Sequence, residues 1–324
     1  MKTIEELQVL IDQEIQARYQ ILEPKELYEP MWYALSNGGK RLRPVFVLLG
    51  CQLFSDDIGK AILPAVGIEM FHNFTLLHDD IMDHASMRRN LPTVHVKWDL
   101  NRGILSGDAL AIQANIFISS CEKDVLPDVL EVFNTTGLQV CEGQQYDINF
   151  EQMAEVSVAQ YMNMIRLKTA VLIAGSLQIG AIIGGAKPEW AKRIYDMGIG
   201  IGMAFQLQDD YLDAFGDPVT FGKNIGTDIL TNKKTYLLIK AQELGNPEHL
   251  ETLRNYYSSN DFDPVEKVQK VKKVFTDLHI DQEIIGKVHD YSNLALEILK
   301  ELPVSLERKD ELNKFTCNLM DRIR

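Results

Sequence analysis

The same acidic signature occurs twice in this chain, 130 residues apart, and each copy sits inside an apolar stretch: His78-Asp79-Asp80-Ile81-Met82-Asp83 and Gln208-Asp209-Asp210-Tyr211-Leu212-Asp213. Helical patterning runs through both. At about 100° per residue, Asp79 and Asp83 lie roughly 40° apart and one turn separated, with Asp80 flanking them. His72 falls between them on the same wheel, roughly 10 Å back along the axis. In the second copy Gln206 shares the face of Asp209 and Asp213. Like charges this close weaken a helix by about 0.2–0.5 kcal/mol per pair. The lead-ins, Phe71 to Leu77 and Ile199 to Phe205, are too apolar to present a solvated acidic stripe. A hard divalent cation is the natural compensator, because carboxylate oxygens suit Mg²⁺, which completes its octahedron with water and phosphate. Facing each other across a helical bundle, two such segments would hold metal ions between them. An EF-hand is excluded, since neither copy has the alternating ligands, central Gly and terminal Glu of that loop.

The rest of the chain agrees with a bundle. No strand-like alternation runs long enough to build a sheet, whereas helical patterning recurs from Glu5 to the C-terminus, so the expected class is all-α. Breaks fall at Asn37-Gly38-Gly39, at Pro64, at Arg89-Asn90-Leu91-Pro92, at Pro127 and at Gly184-Gly185 with Pro188. Thr169 to Ala186 is the one stretch apolar enough to resemble a membrane span. Ser176 and Gln178 interrupt it, and its Ala and Gly residues suit close helix packing, so a buried core helix is expected and no membrane span. Phe215 to Thr235 reads as a long irregular segment rich in Gly, Asp and Asn, and its Lys223, Lys233 and Lys234 favour a functional lid.

The formal net charge of -13 disfavours nucleic acid as a partner. A phosphorylated substrate would need a local basic cluster or a metal. The four cysteines form no CxxC pair, and the N-terminus lacks the basic-then-apolar order of a signal peptide, so a cytoplasmic setting is expected. Two basic clusters could hold diphosphate oxygens. Lys40, Arg41 and Arg43 follow the Gly38-Gly39 pair, and Arg88-Arg89 follows the first aspartate segment by five residues. The first is not a P-loop, which needs Gly-x4-Gly-Lys-Ser/Thr.

The order of these motifs carries a family resemblance. GGKRLRP, then EMFHNFTLLHDDIMD with MRRNLPTVH, then EGQQYD, RLKTA, FQLQDDYLDAFGDP, GKNIGTDI and NKKT make the chain resemble the trans-isoprenyl diphosphate synthases, or polyprenyl synthetases, from about Gly38 to Lys234. Asn90 stands where Gly commonly follows the Arg pair, and Asn224 separates Lys223 from the IGTD segment. The resemblance implies one domain over residues 1–324, a helical bundle with a central cavity, assembled as a homodimer. It implies an enzyme that condenses isopentenyl diphosphate head to tail with dimethylallyl, geranyl or farnesyl diphosphate.

The same resemblance implies roles residue by residue. Asp79, Asp83 and Asp209 match carboxylates that ligate three Mg²⁺ ions, with Asp80, Asp210 and Asp213 supporting the metals and their waters. Arg88, Lys168, Lys223 and Lys233 match the allylic diphosphate site, and Gln144 and Asp147 a pair near it. Lys40, Arg43, His72 and Arg89 match the isopentenyl diphosphate site, with Phe205 beside it. Lys168-Thr169 matches the family's Lys-Thr kink, which with Gln206 faces the developing carbocation.

Phe74, a bulky residue five positions before the first Asp, matches a position that limits product length, and the small Thr75 follows it. DDIMD has no two-residue insertion, which resembles synthases that stop at geranylgeranyl (C20) or farnesyl (C15) diphosphate. On an ideal wheel Thr75 lies near the carboxylate face and Phe74 on the far side. A class I terpene cyclase fits less well, because DDYLD is not its usual second metal motif. A non-catalytic partner subunit also fits less well, since it typically lacks one aspartate motif.

Overall fold

The structure, a computed structural model, describes residues 1–216, 226–258 and 262–321. Its helices in chain order are α1 (Ile4–Ala17), α2 (Lys25–Ser36), α3 (Leu42–Phe54), α4 (Ile62–Met82), α5 (Val94–Lys97), α6 (Leu100–Ile118), α7 (Leu126–Gln152), α8 (Val158–Ile165), α9 (Val171–Ile183), α10 (Pro188–Phe215), α11 (Thr227–Leu230), α12 (Tyr236–Leu244), α13 (Pro247–Ser258), α14 (Pro264–Asp277), α15 (Ile280–Glu301) and α16 (Leu306–Asp321). The all-α expectation holds. The β-structure among the described residues is one hairpin of two-residue strands, β1 (Met87–Arg88) and β2 (Leu91–Pro92), with Arg88 paired to Leu91. Its loop residues Arg89 and Asn90 have φ of 52° and 63°, the pattern of a type I′ turn. Asparagine tolerates the left-handed conformation, so Asn90 serves there as glycine would.

Two compact units make up the chain. The first comprises Met1–Thr135, Gly175–Tyr195 and Pro303–Glu311. Its centre is α3, which is buried from Pro44 to Leu53 and therefore needs neighbours that approach on all sides. One neighbour is α9: a Cβ added at Gly180 would stand 1.9 Å from the carbonyl oxygen of Val47, so only glycine lets these backbones meet. This close approach explains the small residues of the apolar stretch. The helical run Val158–Ile183 is long and apolar enough to cross a membrane, but 78% of its most apolar window is buried inside the protein. Another neighbour is α4, buried at every position from Pro64 to Phe71, whose Phe71 ring meets that of Phe133 edge-on at 5.3 Å. Helix α4 ends at Met82, so Asp83 is its C-cap rather than a residue of the helix, with its N–H donating to the Asp79 carbonyl at 2.8 Å.

The second unit comprises Thr136–Ala174, Asp196–Leu302 and Leu312–Arg324. Here the kink expected at Lys168-Thr169 is a π-helical turn, Arg166–Ala170, between α8 and α9. Such single-turn expansions recur at functional sites because they re-aim side chains. Tyr236 is fully buried, and its hydroxyl donates to Glu283 at 2.6 Å across from α12 to α15. The segment read as irregular from Phe215 to Thr235 differs from that expectation in one respect: it contains α11. Too short to persist alone, α11 starts where Asp213 accepts the Asp228 N–H at 3.0 Å. Lys223 lies outside the described residues.

Candidate active site

In the first unit, the turn before α3 and the end of α4 bring cations and carboxylates together. Gly38 and Gly39 have φ of 71° and 125°, and Arg41 has φ of 45°. A Cβ on Gly39 would lie 2.7 Å from the Arg89 guanidinium, whose Nη1 donates to the Gly38 carbonyl, so the absence of a side chain at Gly39 is what lets Arg89 reach this turn. Arg43 Nη1 lies 3.1 Å from His72 Nε2. Burial, and then the surrounding guanidinium groups of Arg43, Arg89, Arg88 and Arg41, hold His72 well below the ordinary histidine range. His72 is thus neutral and accepts from Arg43. Burial likewise lowers Arg43 to about 10, and its Nε is buried with no hydrogen-bond partner among the described residues. A buried, unpaired guanidinium N–H is costly unless an acceptor arrives. Lys40 is exposed, while its carbonyl accepts from Gln8 Nε2 at 2.6 Å.

Asp80 is buried, and Arg88 Nε donates to its Oδ1 at 2.8 Å. Burial raises the Asp80 carboxyl above its ordinary range, and Arg88 offsets this only in part. Asn73, Leu76, Asp80, Arg88, Arg89 and Thr93 line a cleft. Phe74 points its ring at Phe71 (5.5 Å) and edge-on at His78 (4.8 Å), while the Thr75 hydroxyl donates to the His72 carbonyl at 2.8 Å.

In the second unit, Asp210 is buried and accepts from the Tyr161 hydroxyl and, at 3.0 Å, from Gln206 Nε2. Burial and the nearby Asp228 carboxylate push Asp210 up to about 7, and the two hydrogen bonds restrain the rise. Gln206 in turn accepts from Thr169 Oγ1 at 2.9 Å, and Lys168 Nζ pairs with Asp147 at 2.6 Å. These contacts join the π-turn to α10 and α7. Gln144 is buried, and both polar atoms of its amide have no partner among the described residues. Asp209 and Phe205 are half-buried on α10, and Lys233 is exposed.

Among the described residues, no three His, Cys, Asp or Glu side chains converge into a ready cage for a metal. The donor set still fits magnesium, which needs only one or two carboxylates from the protein and takes water and phosphate for the rest. Asp80 is engaged by Arg88, Asp210 by Tyr161 and Gln206, and Asp213 by the start of α11.

Two residues named from the sequence do something other than expected here, and a third carried no signal in the sequence. Arg41, 6% exposed, donates to Asp12 at 2.9 Å, Glu69 at 2.6 Å and the Leu35 carbonyl at 2.7 Å. It points inward, although it stands in the middle of the basic run. Lys234, expected as a lid cation, instead donates to the Phe150 and Met153 carbonyls, and Tyr161, which donates to Asp210, carried no signal beyond ordinary helix composition.

The polyprenyl synthetase family model matches residues 24–278. The chain belongs to the polyprenyl synthetase family. It is 38% identical over 237 residues to a geranylgeranyl diphosphate synthase of Methanosarcina mazei, covering 72% of this chain and 73% of that one. A crystal structure of a geranylgeranyl pyrophosphate synthase superposes with a TM-score of 0.94 at 43% identity, covering 99% of each chain. A geranylgeranyl pyrophosphate synthase from Corynebacterium glutamicum, complexed with isoprenyl diphosphate and magnesium, superposes with a TM-score of 0.86 at 26% identity over 98% of both chains. This polyprenyl synthetase is a prenyltransferase of isoprenoid biosynthesis, condensing isopentenyl diphosphate with allylic diphosphates.

Proposed function

We propose that the chain is a magnesium-dependent synthase of geranylgeranyl diphosphate, with farnesyl diphosphate as the next product. The observation that carries the diphosphate chemistry is the buried, unpaired Nε of Arg43, set among Arg88, Arg89 and a neutral His72. In the first unit, Lys40, Arg43, His72 and Arg89 hold isopentenyl diphosphate, Arg88 binds the allylic diphosphate, and Asp79 and Asp83 bind metal with Asp80 in support. In the second unit, Asp209 binds metal with Asp210 and Asp213 in support, and Lys168, Lys233 and Lys223 bind diphosphate. Asp147 pairs with Lys168, and Gln144, whose amide has no partner among the described residues, is assigned with it to the allylic substrate, as Phe205 is assigned to substrate binding.

Magnesium, three ions in all, would stabilise the charge of the departing diphosphate. The side chains supply the rest. Arg and Lys fix the diphosphates, while Thr169 and Gln206 turn oxygen atoms toward the allylic cation left by C–O cleavage. The isopentenyl double bond attacks that cation, and the proton lost afterwards goes to the released diphosphate, so no side-chain base is assigned. Exclusion of water protects the cation from quenching.

One functional domain over residues 1–324 is supported by the family match, which includes residues of both units. A homodimer is supported by Leu105, Ile112 and Ile116, exposed at helical spacing along α6. The four free cysteines suit a reducing, cytoplasmic setting.

For product length we assign Phe74, with Thr75, as the ruler that the growing tail meets along α4. Chromatography of dephosphorylated products tests this: wild type is expected to give C20 with some C15, and Phe74→Ala longer chains. An unchanged distribution removes Phe74 as the ruler, and wild-type products of C30 or longer overturn the short-chain assignment.

A further inference from the structure

We propose that Lys234 is a positioning residue for its neighbour Lys233, an inference that rests on the diphosphate-binding role proposed above for Lys233. The two lysines are adjacent, yet they do different things. Lys233 is exposed, whereas Lys234 is half-buried and its Nζ donates to the main-chain carbonyls of Phe150 and Met153. Those carbonyls stand at the C-terminal end of α7, one on Phe150 within the helix and one on Met153 just past it, where the helix dipole favours a cation. Burial lowers the Lys234 pKa, and the two carbonyls compensate the ammonium for the water it gives up. Lys234 therefore caps α7, the helix that carries Gln144 and Asp147.

Two further anchors hold the same short segment. Asp213 accepts the Asp228 N–H at 3.0 Å through its side chain and the Gly226 N–H at 2.6 Å through its carbonyl. On the other flank, Lys267 of α14 is 5% exposed, donates to Asn232 Oδ1 at 2.5 Å and lies 5.0 Å from the Tyr257 ring centroid. Asn232 has φ of 59°, a conformation asparagine accepts, and the Lys233 N–H closes the turn on the Asp228 carbonyl at 2.9 Å. Asn232, Lys233 and Lys234 are consecutive, so both neighbours of Lys233 are tied down. With its backbone ordered beforehand, Lys233 has less freedom to lose when an anion arrives, which is how preorganisation raises affinity.

The test combines steady-state kinetics and thermal melting of Lys234→Met, Lys234→Arg, Lys233→Ala and the Lys233→Ala/Lys234→Met double variant. Lys234→Met is expected to lower kcat/KM for the allylic diphosphate about tenfold. Lys234→Arg, which keeps charged donors for both carbonyls, is expected to recover most of that loss. Because Lys234 acts through Lys233, the double variant is expected to be no worse than Lys233→Ala alone. Lys234→Gln replaces the Met variant if that one does not fold. Wild-type kinetics in Lys234→Met with a lowered Tm would reduce Lys234 to a structural cap and overturn the proposal, as would multiplicative losses in the double variant. Wild-type kinetics in Lys233→Ala would instead remove the role of Lys233 itself, and the proposal with it.

Discussion

The two aspartate segments share one pattern but differ in what surrounds the middle carboxylate. In the first unit Asp80 is ion-paired with Arg88, and a group of guanidinium side chains surrounds His72 and holds it neutral. In the second, Asp210 lies between a hydroxyl and an amide, faces Asp228, and is pushed up to about 7. The i, i+1, i+4 spacing sets which face of a helix carries the acids. Charge state is set by partners remote in sequence: Tyr161 is 49 residues from Asp210. The formal charge of -13 thus conceals a cationic cluster in the first unit suited to diphosphate.

If both segments serve the same metal-assisted ionisation despite these surroundings, removing an assigned metal ligand from either should produce the largest losses. Asp79→Ala and Asp209→Ala are each expected to lower kcat by more than about tenfold, or 1.4 kcal/mol, since they remove interactions made mainly in the transition state. A smaller loss at one of them would break the symmetry of the two segments.

A moderate effect separates the roles within the cationic cluster. Arg43→Ala is expected to raise KM chiefly for isopentenyl diphosphate, and Arg88→Ala to act chiefly on the allylic substrate. Equal effects of both on both substrates would refute the partition.

The smallest effect concerns pH. Folded His72 has a pKa below its unfolded value of 6.5, so below that pH the unfolded chain binds a proton that the folded protein refuses. Its contribution is complete above that value and is lost as pH falls. His72→Gln keeps an acceptor for Arg43 and cannot titrate, so its Tm is expected to fall less than that of wild type on acidification. Parallel Tm profiles would show that His72 is not held neutral.

The helical class, the two acidic faces and the basic clusters were legible because each is local: a period, a spacing or a run. The π-turn at Lys168-Thr169 was legible only through the family resemblance, since nothing in RLKTA by itself marks an expanded turn. The inward turn of Arg41 was not legible. Within a basic run it resembles its neighbours, and only its left-handed backbone turns it toward Glu69, 28 residues away. Breaking such a buried pair by removing one partner costs about 3–5 kcal/mol, so this residue supports the turn that presents Lys40 and Arg43. Helix α11 was hidden for a related reason. Four residues have too little local propensity to declare a helix, and the Asp213 carboxylate that starts it comes from α10. Asn90 looked like a departure from the family until its φ of 63° gave the reason.

The most direct test of the account is incorporation of labelled isopentenyl diphosphate by the purified chain, with farnesyl diphosphate as acceptor, in magnesium and then in excess chelator. The account predicts a C20 diphosphate in magnesium and no elongation in chelator. Full turnover in chelator, or no incorporation with magnesium present, would contradict it.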